Sequence, residues 1–217
     1  MISAPSSQRA SLADQPRLDL VVLVPDVDWE QTIRTLLEER APALGIRRIG
    51  FEVIRHPYRD PGVRTQAAPL LRPYIGQAQY ALACVDREGS GHHGGVEELE
   101  RGIQSSLCPD WGARCGVIVV MPELETWVWS PSPHVARILG WNAGDDIYRY
   151  LRARDMLPEG QRKPPRPKEA MLAAMRERGK RRSSSVFADL ASSVSLATCA
   201  DPTFAAFRAR LQAWFPP

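Results

Sequence analysis

Apolar and polar positions along the chain separate into two periods. Residues 18–24 (LDLVVLV), 80–85 (YALACV) and 116–121 (GVIVVM) are almost continuously apolar, as expected of strands buried on both faces. Residues 48–55 alternate instead, with Ile49, Phe51 and Val53 set against Gly50 and Glu52, which predicts a half-buried strand. Trp29, Ile33, Leu36 and Leu37 recur at helical spacing up to about Arg40, and so do Val96, Leu99, Ile103 and Leu107. Asp28 with Gln31 predicts an N-cap and capping box for the first of these helices. Ala41-Pro42 and Gly45 end it. Residues 63–76 are helix-like, but Pro69 and Pro73 predict a late start or a break.

From about Ser130 the strand pattern stops. Residues 133–139, 145–157, 167–178, 184–194 and 201–215 predict helices. The last opens with Asp201 at the N-cap and Pro202 at the first helical position. Strands alternating with helices predict an α/β core over residues 18–130, its mostly parallel sheet flanked by helices on both faces. A helical C-terminal region over 131–217 follows. Residues 1–17, rich in Ser, Ala, Gln and Pro, predict a flexible N-terminus without the apolar core of a secretory signal.

Composition narrows the class. With 44% hydrophobic and 24% charged residues, the chain is expected to fold as a globular protein. No apolar run reaches the roughly 20 residues of a membrane span. The four cysteines, at 84, 108, 115 and 199, form no C-x-x-C pair, which speaks against a zinc site and for a reducing cytoplasm. The net charge of +3 is unevenly spread: residues 161–182 hold nine Lys or Arg and two Glu, leaving the rest of the chain net acidic. That asymmetry predicts an acidic partner for the basic segment.

Three of the predicted strands run directly into acids: Asp26 and Asp28, Asp86 and Glu88, Glu123 and Glu125. Asp86 and Glu88, two residues apart, can point the same way, and a hard cation such as Mg2+ relieves their repulsion. If the strands are neighbours, all three pairs meet at one edge, an arrangement suited to one or two metal ions acting on phosphate esters. The plainer alternatives are a solvated strand end for Asp86 and Glu88, and for Glu125 a helix-N-terminal acid favoured by the dipole. His92 and His93 sit between glycines and read as a loop. Trp127, Trp129 and Trp141 read as core or interface.

As an ordered set, Val24-Pro-Asp-Val-Asp-Trp-Glu30, Val85-Asp-Arg-Glu-Gly89, Pro122-Glu-Leu-Glu-Thr-Trp127 and the closing Asp201-Pro-Thr-Phe-Ala-Ala-Phe207 resemble the Toprim-like DUF4276 family. The likeness covers roughly residues 18–215 and extends to small proteins of methylation-associated antiphage defence systems. It implies a Toprim-like sheet and Mg2+ (or Mn2+) held by Asp86, Glu88 and Glu123. Asp26 and Glu125 would be the catalytic side chains. Nucleic-acid contacts would come from Arg166, Lys168, Lys180, Arg181 and Arg182. The implied activity is a metal-dependent nuclease or phosphoesterase, working in the cytoplasm with other defence-system proteins. The alternative is a non-catalytic subunit that binds nucleic acid or protein partners. Two positions depart from the family pattern: Asp26 stands where a glutamate is expected, and Asp86-Arg-Glu88 replaces D-x-D.

Overall fold

The computed structural model describes residues 18–130, 132–143, 145–197 and 199–217. The expected flexible N-terminus lies outside the described residues. Four strands, β1 (Leu18–Val24), β2 (Phe51–Arg55), β3 (Ala78–Asp86) and β4 (Cys115–Val120), form one sheet in the order β2-β1-β3-β4. Every pairing is parallel, with Leu20 opposite both Phe51 and Tyr80 and with Asp86 opposite Val120. The connections are α1 (Val27–Glu39) with the short α2 (Ala41–Leu44), then α3 (Arg59–Leu71), then α4 (Val96–Trp111).

Strand alternation sorts the core into two layers. Leu20, Val22, Leu82, Cys84, Ile118 and Val120 face α1, while Val21, Leu23, Ala81, Ala83, Val117 and Val119 face α3 and α4. After β4 come α5 (Glu125–Val128), α6 (Pro133–Ile138), α7 (Ile147–Arg152), α8 (Pro167–Glu177), α9 (Ser185–Ser193) and α10 (Pro202–Trp214). All six join the layer that holds α1. The helical C-terminal part therefore shares one apolar core with the sheet. Polar ties reinforce this: Arg40 donates to the carbonyls of Ala191 and Val194 at 2.9 and 3.2 Å. Gln212 donates to Leu44 O at 2.7 Å, and Trp214 stacks on Tyr80 with centroids 4.6 Å apart.

Several boundaries differ from expectation. Asp26, not Asp28, caps α1, because its extended backbone lets the carboxylate accept from the Asp28 and Trp29 amides. Helix α3 begins earlier than expected and carries Pro69 inside, with a non-helical kink at Gln66. Loss of the Pro69 N–H, which would otherwise bond one turn back, accounts for a break there. Helix α7 spans only Ile147–Arg152. No described helix is long and apolar enough to cross a membrane.

Candidate functional site

Strand order reverses at β1. The chain leaves it for β2 on one side, and β3 lies on the other. The carboxyl ends of β1 and β3 therefore flank a topological switch point, the position where open α/β sheets hold ligands. Asp86 is the last residue of β3. It shares the parity of Leu82 and Cys84, so its side chain enters the layer beneath α1. There Trp29 Nε1 donates to Asp86 Oδ1 at 3.0 Å. Asp86 is 8% exposed. Burial pushes its carboxyl well above the ordinary carboxylate range, and the charges of Asp60 and Glu125 push it further.

Asp60, from the first turn of α3, accepts the Asp86 backbone N–H at 2.8 Å. Burial raises its pKa to about 6. A Cβ at Gly89 would stand 2.6 Å from Asp60 Oδ2, so glycine there lets the turn after β3 close over this carboxylate. Arg59, immediately before it, has φ of 50°, a backbone region uncommon for a side-chain-bearing residue. Asp60 was not among the residues expected at the site. It follows the end of β2, so the fourth strand end also leads to an acid, five residues on.

From the β4 side, Glu125 opens the single turn of α5 and is buried. Burial and the Glu123 charge raise its pKa to about 7, against the lowering effects of Lys168 and Arg182. Glu123 accepts the backbone N–H of Lys168 at 3.1 Å, at the N-terminus of α8. Lys168 Nζ lies 3.5 Å from Glu123 and 3.9 Å from Glu125. Arg182 pairs with Asp28 and lies 3.5 Å from Glu125. The cluster thus unites acids from four strand ends with two cations from the C-terminal helical region.

The residues expected at the site divide accordingly. Glu123, Glu125 and Asp86 all act electrostatically on Lys168, and Arg182 lies beside Glu125. Asp26 is half-buried and spends a carboxylate oxygen on the α1 cap, although its charge acts on Asp60 and Asp86. Glu88 lies in the exposed turn after β3, where its N–H bonds Pro122 O at 3.1 Å. The strand ends at Asp86, so the two-residue period that would have aligned Glu88 no longer applies. Arg166 is exposed and pairs with Glu169 at 3.3 Å, Lys180 bonds Ile138 O, and Arg181 is exposed.

Asp86, Glu123 and Glu125 offer only carboxylate oxygens, the donor chemistry a hard divalent cation takes. Among the described residues no three His, Cys, Asp or Glu side chains are grouped to hold a metal ion. Lys168 and Arg182 pair with Glu123, Glu125 and Asp28 in this arrangement. Comparison of the chain with family models, curated proteins and solved structures finds no match.

Proposed function

We propose that this protein is a Mg2+- or Mn2+-dependent Toprim-like phosphoesterase that acts on nucleic acid in the cytoplasm, within an antiphage defence system. The observation that carries the chemical part is the buried Asp86–Glu125 pair at the switch point of an all-parallel sheet, with Lys168 beside it. The defence role, the family and the nucleic-acid partner rest on the ordered motifs and the basic segment.

Asp86 and Glu123 would hold the cation, with Glu125 beside them. Such a cation polarises a phosphoryl oxygen and lowers the pKa of bound water. Glu125, with its pKa near 7, is matched to taking and returning a proton near neutral pH. Lys168 Nζ, 3.9 Å from Glu125, sits where it would neutralise a phosphate brought up to the acids. The Trp29 bond fixes the orientation of Asp86. Asp60, through the Asp86 backbone amide, positions the strand end.

The test pairs calorimetry of Mg2+ and Mn2+ binding with cleavage of labelled DNA and RNA, on wild type, Asp86→Asn and Glu125→Gln. Metal binding and cleavage, both lost in the variants, are expected. Metal binding absent from the wild type at millimolar concentration sinks the enzymatic reading. The second reading, a non-catalytic recognition subunit, is favoured by one observation: Arg182 and Lys168 already compensate the acids. Under it, nucleic acid or a partner protein is retained without metal, and no cleavage occurs.

A further inference from the structure

A second cleft lies beyond the end of α5, separate from the acid cluster. Trp129 and Ser130, Tyr148 and Arg152 of α7, and residues 161–163 line a space of about 480 Å³. That volume is within the range of small-ligand sites. No Asp or Glu is among its described lining residues. Lys163 is anchored there by Thr126 O at 2.9 Å and Asp201 Oδ2 at 2.8 Å, so its charge is largely compensated. Arg152 and Arg162 are exposed and have no ion pair among the described residues. Two uncompensated guanidinium groups at one concavity select an anion, and their planar donor forks match phosphate oxygens.

Ser130, only 4% exposed, lines the inner wall of the same cleft. The backbone around it is fixed, because Tyr148 donates its hydroxyl to Ser130 O at 2.6 Å. The half-buried Tyr148 ring gives the same cleft an aromatic wall, a surface on which a base can pack.

We propose that this cleft binds the phosphate of a nucleotide, either free or at the end of a nucleic-acid strand. Arg152 and Arg162 supply the charge, and Tyr148 the wall against which the base packs. The binding needs no divalent cation and does not depend on the acid cluster being catalytic.

The test is a titration of the full chain in EDTA at low salt. The ligands are inorganic phosphate, a mononucleotide, and single-stranded oligonucleotides phosphorylated at the 5′ end, the 3′ end or neither. Wild type is expected to bind a phosphate-bearing ligand, with the Arg152→Gln/Arg162→Gln double variant at least tenfold weaker. Arg101→Gln on α4, which removes an exposed charge elsewhere, should bind as wild type. Equal affinity for the mononucleotide and the phosphorylated strands identifies a free nucleotide. A preference for one phosphorylated end identifies a strand terminus. Binding of no ligand, strand binding indifferent to the terminal phosphate, or an unaffected and folded double variant overturns the proposal. EDTA separates this outcome from failure of metal-dependent cleavage.

Discussion

Glu125 carries the most informative titration in the molecule. Its pKa is raised, first by burial, from an ordinary value of 4.5 to about 7. A carboxyl that holds its proton more tightly when folded contributes stability that is complete below about pH 4.5. That contribution is lost as the pH rises through about 7. Asp60, raised to about 6 mainly by burial, works in the same direction over a lower window. Denaturant titrations between pH 4.5 and 8 should therefore show Glu125→Gln losing less stability with pH than wild type, by on the order of 1–3 kcal/mol. Equal slopes would mean that Glu125 titrates normally. Trp29 gives a second test at this scale. Replacing it with phenylalanine removes the donor to Asp86 Oδ1 and leaves a buried acceptor unpaired, at a cost of about 1–3 kcal/mol in urea unfolding.

At the scale of elements, the turn after β3 governs how the acids are arranged. Gly89 leaves room for Asp60, whose carboxylate is tethered to the Asp86 amide and has little freedom to retreat. Gly89→Ala should therefore destabilise the fold by roughly 1–3 kcal/mol. In a double-mutant cycle with Asp60→Ala much of that cost should vanish, since the clashing group is gone. Helix α10 offers a separate check, because Asp201 caps it through the Thr203 and Phe204 amides and also holds Lys163. Asp201→Ala should lower stability by about 1–2 kcal/mol, read as a drop in the melting midpoint. This helix start was legible in the sequence because Asp-Pro before an apolar face has one ready structural meaning. The four strands were legible too: β1, β3 and β4 are largely buried on both faces and leave nearly unbroken apolar runs, while the edge strand β2 alternates. The α1 cap was not: Asp26 and Asp28 are both good capping residues, and only backbone dihedrals choose between them. Asp60 escaped because it lies five residues beyond the end of β2, and from the first turn of α3 it reaches back across the chain to Asp86.

For the molecule as a whole, the sheet order places β1 and β3 side by side, and the acids meet for that reason. Alternating strands and helices implied a parallel sheet, but its order follows from the side to which each crossover turns. The arrival of Lys168 and Arg182 at the acids was equally hidden. In the sequence they belong to a basic run with the look of a solvated surface, and only the packing of α8 on α5 and of α9 on α1 brings them to the acids. If that pairing is what neutralises the cluster, adding Mg2+ should raise the melting midpoint of Lys168→Ala more than that of wild type. A smaller shift in the variant would show that Lys168 helps the cation bind.

The same placement has a bearing on synthesis. The ribosome delivers Asp28, Asp60, Asp86 and Glu125 well before Lys168 and Arg182, so a nascent chain carries its acids without their counter-charges. Interrupted translation products would be left with a bare anionic edge and an uncovered apolar sheet face. They are expected to be substrates for quality control.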